Sequence, residues 1–283
     1  MVRVVVRISL FISLFAIGFV ESASARGFRH FQKKSRFPYE IKLFKMAMEA
    51  VGETVSLFEF DEDINYARGM ALLESKEIDF AFFASNNQLE KRFLAIKIPI
   101  LNGILGYRLN LVHKDNKDIF LKYKDLEEVR LMLTAGFNEH WPDRAVLDHN
   151  KMKVVYTSDY RNLFKMLNVK RFDYFPRGIN EIWTEWEANK STAPDIIVEP
   201  NMAFYYPYPV YFFVNKKNLQ LQKKLEEGLK ILSKNGKLKE WFLKYHQPFI
   251  EKAKIKNRSV IYLKNPNLPS DFNESQFQPS WWR

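Results

Sequence analysis

Apolar positions follow two rhythms along this chain. Over residues 39–51, Ile41, Phe44, Met48 and Val51 recur at helical spacing, with Pro38 near the start and Gly52 at the end, which predicts a helix with one buried stripe. Residues 55–60 read as a strand, 65–75 as a second helix, and 78–83 as a strand without polar relief, as expected of one covered on both faces. A Gly-containing connection at 99–107 leads into a strand at 108–113 that leaves this segment. A second alternation opens at Leu126, with a strand at 131–134, a loop at 135–141, a helix at 142–150 and a strand at 154–156. A helix at 159–167 buries Leu163, Phe164 and Leu167. The short aromatic strand 172–175 then precedes a helix in which Ile179, Ile182, Trp183 and Trp186 alternate with Glu181, Glu185 and Glu187. After a strand at 196–198, the run 203–214 (AFYYPYPVYFFV) is extended, because Pro207 and Pro209 exclude a helix. Helices at 219–233 and 238–245 follow, separated by Asn235-Gly236, and 260–263 reads as an added strand.

The strand, helix, strand unit over 154–175 places Pro176-Arg177-Gly178 in a turn beyond a strand's carboxyl end, where open α/β sheets collect ligands. Arg177 is there either an anion ligand or a surface arginine in a turn. Tyr174 and Gly178 flank it. Two other strand ends carry polar or aromatic groups. Ser85, Asn86 and Asn87 offer donors and acceptors or plain helix capping, and His140, Trp141 and Asp143 bring a ring that could stack on a ligand or belong to the core.

The first 25 residues stand apart from this pattern. Arg3 and Arg7 precede an apolar run of thirteen residues, 8–20, and Ala23-Ser24-Ala25 is the small-residue pattern that a signal peptidase cuts after. The run is shorter than the ~20 residues of a spanning helix, so export with cleavage is expected rather than anchoring. The chain of 283 residues, 47% hydrophobic, has no cysteine. A core of this size needs no disulfides, and no cysteine follows the cleavage site to carry a lipid. A soluble periplasmic product is expected. The formal net charge of +11 comes from scattered basic runs such as Lys33-Lys34-Ser35-Arg36 and Lys216-Lys217, which read as solvated faces; with export, this argues against nucleic acid as a partner.

Several stretches resemble a known family. SKEIDFAFFASNNQLEKRFLAIKIPIL resembles the segment of the family 3 solute-binding proteins, type II periplasmic binders that serve ABC transporters for polar amino acids, in which a strand ending in polar residues precedes a Glu-Arg pair and a further strand. LGYRLNLV resembles their exit to the hinge. RFDYFPRGINEI, GFNEHWPD and LKNPNLP match more closely a subgroup of exported transporter substrate-binding domain proteins. The resemblance covers about residues 39–245. It implies an α/β, two-lobe type II periplasmic-binding-protein fold with two hinge crossings. One lobe would hold residues 26–114 and 202–245, the other 115–201, with 246–283 as a C-terminal extension.

It also implies a monomer that binds a small polar solute, anionic or amino-acid-like, for an inner-membrane ABC permease, with no catalytic residue, metal or cofactor. Arg92 falls at the family's carboxylate-gripping position. Arg92 and Arg177 are expected to face each other across the cleft, with Ser85, Asn86, Trp141, Tyr174 and Gly178 beside them. One departure matters. Where amino-acid binders place an acid for the ligand's amino group, the nearest acids here are Asp173 and Glu181, and Arg177 stands in their neighbourhood, which argues against a standard zwitterion.

Two alternatives stay open. Periplasmic cyclohexadienyl dehydratases resemble these binders, and such an enzyme needs a carboxyl kept protonated; Glu181 and Asp143 are candidates. HExxH, GxSxG and phosphate-loop motifs are absent, as is any thiol. A ligand-sensing interaction module is the other alternative, through the extension that ends in Trp281-Trp282, although the expectation is that this tail packs back on its own lobe. Mass spectrometry of exported protein should find Arg26 at the amino terminus; an intact Met1–Ala25 segment would contradict the soluble periplasmic expectation.

Overall fold

The structure, a computed structural model, describes residues 26–277 and 279–282. The leader expected at 1–25 lies outside the described residues. The chain opens with β1 (Arg26–His30), α1 (Pro38–Ala50), β2 (Val55–Glu59), α2 (Tyr66–Ser75), β3 (Phe80–Ala84), α3 (Asn87–Arg92), β4 (Phe93–Ile96) and β5 (Tyr107–His113). There follow α4 (Ile119–Lys122), α5 (Leu126–Met132), β6 (Thr134–Asn138), α6 (Arg144–His149), β7 (Lys153–Thr157), α7 (Tyr160–Asn168), β8 (Tyr174–Gly178) and α8 (Ile179–Asn189). The chain returns through β9 (Ile196–Tyr205), β10 (Val210–Asn215), α9 (Leu219–Lys234), α10 (Lys237–Ala253) and β11 (Ser259–Tyr262).

Three ladders organise these strands. β1 and β2 pair in parallel, β10 runs antiparallel between β3 and β4, and the third sheet has the order β11-β9-β5-β8-β6-β7. The long antiparallel pair β5 and β9 carries the chain into and out of this six-stranded sheet. Rings hold α1 to the three-stranded sheet: Phe44 of α1 stacks on Phe80 of β3 with centroids 3.5 Å apart, and Phe212 of β10 meets both edge-on. On α7 Leu163, Phe164 and Leu167 are buried, as their spacing predicts, and the Asp159 side chain caps the helix by accepting from Arg161 N.

The structure corrects four expectations. The apolar stretch at 131–134 is not a strand: Leu131 and Met132, each 58% exposed, close α5, and β6 occupies the part predicted as a loop. Gly136 is the reason that β6 can pack there, since a Cβ would lie 2.1 Å from the Phe172 ring. Pro176-Arg177-Gly178 is not a turn but the end of β8, in register with Asn110, Leu109 and Arg108 of β5. β6 borders β8 only at Ala135 and Tyr174, so Pro176 lies beyond that short ladder. α10 continues through Pro248 to Ala253, past the helix end expected at 245. Finally, the tail does not stay on one lobe: β11 adds to the six-stranded sheet by pairing in parallel with β9, and later residues reach the first lobe, where Trp282 Nε1 donates to Asn102 O at 3.2 Å. β1 and β4 carried no expectation of their own from periodicity.

No helix among the described residues is long and apolar enough to cross a membrane. α1 and α9 approach closely because residue 228 is glycine; a Cβ there would sit 1.9 Å from the backbone oxygen of Ala47. Gly228→Ala must therefore push two helices apart. It should cost about 1–3 kcal/mol or more despite alanine's better helix propensity, read as a lower midpoint in urea denaturation; an unchanged midpoint would show that the helices can slide apart freely.

Candidate functional site

Arg108 is the second residue of β5, a strand buried along its whole length, and its side chain is only 4% exposed. A guanidinium in such a place must be surrounded by acceptors, because an unpaired buried charge is prohibitively unfavourable. Its Nη2 reaches Asp143 Oδ2 at 2.8 Å and its Nη1 reaches Glu181 Oε2 at 3.4 Å. Tyr206 donates its hydroxyl to the same Asp143 oxygen at 2.7 Å, and the guanidinium lies 5.3 and 5.2 Å from the ring centroids of Tyr206 and Tyr208.

The local folds explain the convergence. Arg108 and Gly178 are cross-strand partners, so the first turn of α8 rises over Arg108 and presents Glu181. Asp143 comes from the connection between β6 and α6, and the two tyrosines from the connection between β9 and β10. Gly178 is needed for the close approach: a Cβ would lie 2.7 Å from Leu105 Cδ1 and 3.0 Å from Glu181 Oε2. Its N–H donates to Glu181 Oε2 at 3.1 Å.

Glu181 also holds a second arginine. Arg177 places Nη2 3.0 Å from Glu181 Oε2, binds Glu185 through Nε at 2.5 Å and Nη2 at 2.7 Å, and lies 4.2 Å from the Trp141 ring. Trp141 in turn stacks on Phe175. The forked contact to Glu185 is the geometry that makes arginine, not lysine, fit here. Burial opposes the charge on both arginines, but Tyr206, Asp143 and Glu181 around Arg108, and Glu181 and Glu185 around Arg177, outweigh it and raise both pKa values. Burial pushes the Glu181 carboxyl up, and Arg177, Arg108 and the Gly178 N–H together bring it below its usual range, so this half-buried glutamate is ionised.

The predicted residues divide. Arg177, Trp141 and Gly178 belong to this cluster. Ser85 is buried, yet its hydroxyl donates to Glu90 Oε1 at 2.7 Å, and Asn86 caps α3 by accepting from Gln88 N and Leu89 N, both at 2.9 Å. Tyr174 is in the core between Phe120 and Phe204, 0% exposed, because alternate residues of β8 face that side. Arg92, at the end of the short α3, is 39% exposed and pairs with Glu74 at 2.6 Å on the first lobe's own surface.

Arg108, Tyr206, Tyr208 and Glu185 carried no expectation as site residues. A signal was present, namely an arginine inside the apolar run GYRLNLV and three tyrosines alternating with prolines in YYPYP. Two polar atoms in the cluster are buried without a partner, the Arg108 Nε donor and the Asn180 Oδ1 acceptor. An open cavity of about 520 Å³ lies elsewhere, between α1 and β2, and includes none of these residues. No group of three or more potential metal ligands occurs among the described residues.

No family model matches the sequence, and no curated protein matches it. Solved structures do match in fold. The probable amino-acid ABC transporter extracellular-binding protein YtmK from Bacillus subtilis aligns over 78% of this chain and 98% of its own, at 15% identity and a TM-score of 0.59. An ancestral arginine-binding protein bound to arginine aligns over 78% and 99%, at 17% and 0.55. An ancestral amino acid-binding protein, described as a precursor of cyclohexadienyl dehydratase, aligns over 74% and 84%, at 15% and 0.52. The chain has the two-lobe type II periplasmic-binding-protein fold.

Glu40, on the first turn of α1, completes the electrostatic picture. Burial, together with the charge of Glu181 and against its own backbone N–H, raises its carboxyl from 4.5 to about 7. The folded chain thus holds more protons than the unfolded chain between those values, so this stabilisation is full below pH 4.5 and is lost as pH rises through 7. Glu40→Gln should match the parent near pH 4 and exceed it at pH 8 by on the order of 3 kcal/mol. His246, lowered by burial to about 3, gives a slope of opposite sign that cancels between the two proteins. Urea denaturation at both pH values checks this; a difference independent of pH would refute it.

Proposed function

We propose that this chain is a solute-binding protein that closes its two lobes on a small polar solute and presents it to an inner-membrane ABC permease, from the periplasm. In this reading the two crossings fall before β5 and after β9 rather than at 114 and 202, because β5, β9 and β11 share the six-stranded sheet: residues 26–106 and 206–253 form one lobe, and 107–205 with β11 the other. The observation that carries it is the Arg108 cluster: charged groups from β5, α8 and the entry to α6, with two tyrosines from the β9–β10 connection, meet at the start of β5. Ligands of open α/β sheets bind at such strand ends. The fold's relatives support the same role, since those named above include an amino-acid transporter's binding protein and an arginine-binding protein.

An amino-acid-like solute fits this cluster better than a plain anion. Arg108 and Arg177 are already matched by Asp143, Glu181 and Glu185, and a lone carboxylate would add to an acidic excess. A solute with both charges can exchange with internal pairs, its carboxylate on Arg108 and its ammonium on Asp143 or Glu181. Arg177, Trp141 and Gly178 remain in the proposed site, with Arg108, Tyr206 and Tyr208 added; Arg92 is better read as a surface charge.

The carboxyl of Glu40, held near neutrality, gives the enzymatic reading its remaining support, as it could serve as a general acid. A thermal-shift screen against amino acids, dicarboxylates, phosphorylated compounds and peptides separates the readings. An amino acid at a hundredfold over Kd should stabilise by about 2.7 kcal/mol, a shift of several degrees, whereas consumption of prephenate or arogenate, lost in Glu40→Gln, would establish the enzyme. No shift with any solute would overturn the binding role.

A further inference from the structure

The stretch Lys264-Asn265-Pro266-Asn267-Leu268-Pro269, after the last sheet bond from Leu263 N to Tyr205 O, belongs to neither lobe's sheet, yet it touches both lobes within a few residues. It leaves β11 on the edge of the six-stranded sheet. Lys264 exchanges two hydrogen bonds with Asn150 at the end of α6, donating its N–H to Oδ1 at 3.0 Å and accepting from Nδ2 at 2.8 Å. Asn265, which is buried, donates Nδ2 to the carbonyl of Pro207, between the two cluster tyrosines, at 2.9 Å. Its Oδ1 accepts from Asn267 N at 3.0 Å and so fixes the bend. The carbonyls of Asn267 and Leu268 then accept from the backbone N and the Nδ2 of Asn87, the first residue of α3, at 3.4 and 3.2 Å.

Both ends of this stretch are anchored. β11 secures it to the second lobe, and on the first lobe Lys97 pairs with Asp271 at 2.5 Å, Tyr211 donates to Gln276 at 2.7 Å, and the Phe277 ring covers Gly103. A domain pair joined only by two hinge strands opens by bending those strands. Here a third covalent path crosses the boundary, and its middle is fixed beside the cluster by contacts that are few, partly exposed and individually weak.

We propose that residues 264–268 are a clasp that fastens the two lobes, and that release of its contacts to Asn87 and Pro207 sets when the cleft opens. The eight residues 264–271 can extend to roughly 25 Å, so the released segment still tethers the lobes and limits how far they part. The proposal deepens the binding role and rests on the two-lobe reading.

The test uses the full mature chain with no small molecule added. Asn87→Ala combined with Asn265→Ala should raise the radius of gyration in X-ray scattering and increase amide exchange at Tyr206 and Tyr208 at least tenfold, with the exchange of β6 unchanged. As the chain has no cysteine, Asn87→Cys with Leu268→Cys gives the converse: oxidation should slow exchange at Tyr206 and Tyr208 below the parent's, and reduction should restore it. Should the alanine pair fail to fold, the cysteine pair decides alone. Scattering and exchange equal to the parent's in the alanine pair, or exchange indifferent to oxidation in the cysteine pair, would overturn the clasp. Neither readout involves a solute, so a failed solute screen leaves this result standing, and a failed clasp leaves the screen standing.

Discussion

A guanidinium taken out of water near the start of β5 is the constraint on which this structure turns. Moving such a charge from water into a protein interior carries a penalty of several kcal/mol, which only well-placed acceptors offset. Arg108 gathers Asp143 and Glu181, while Tyr206 supplies the donor that fixes Asp143. These groups belong to four separate segments, so satisfying one charge fixes the start of β5, the entry to α6, the start of α8 and the path between β9 and β10. Replacing any of them by an apolar residue would leave the others buried and unmatched, which explains why the cluster behaves as a unit rather than as a sum of pairs.

Glu181 transmits that constraint. It accepts from Arg108, Arg177 and the Gly178 N–H at once, so the two arginines are held at a fixed separation by one carboxylate. Glycine at 178 makes room for it. Trp141 lies under Arg177 and stacks on Phe175, which ties the charged cluster to the main apolar core. Electrostatics and packing therefore stabilise the same arrangement. Glu40 is the exception, a carboxyl whose burial is opposed rather than matched, and at neutral pH it sits near the midpoint of its own titration.

Helices and their buried faces were legible in the sequence because three- and four-residue spacing has a single structural meaning. Leu163, Phe164 and Leu167 show this, as does the helix begun at Pro38. Strand ends were less legible. The run Leu131-Met132-Leu133 is apolar enough for a strand, yet it closes a helix, since local hydrophobicity does not say which partner surface is available. The two-lobe fold was legible from the order of elements and from the resemblance. Within the site, Arg177 and Gly178 could be picked from one strand end and Trp141 from another. Arg108 could not be tied to Asp143 or Tyr206, because pairs 35 and 98 residues apart in a sequence leave no local trace. Tyr174 was misread for a simpler reason, that adjacent residues of a strand face opposite ways.

The clasp and the cluster bear on the same short segment. Tyr206 and Tyr208 flank the Arg108 guanidinium, and Pro207 between them gives its carbonyl to Asn265. Movement of the tail at Asn265 must then be felt by the tyrosine that positions Asp143, because Pro207 and its neighbours share one backbone with little freedom: proline fixes its own φ and restricts the residue before it, and Pro209 repeats the restriction. A solute that exchanges with the internal pairs would shift the same tyrosines from inside. Site and tail are thus two handles on one stiff connection, and coupling between them needs no longer path than the five residues from Tyr205 to Pro209.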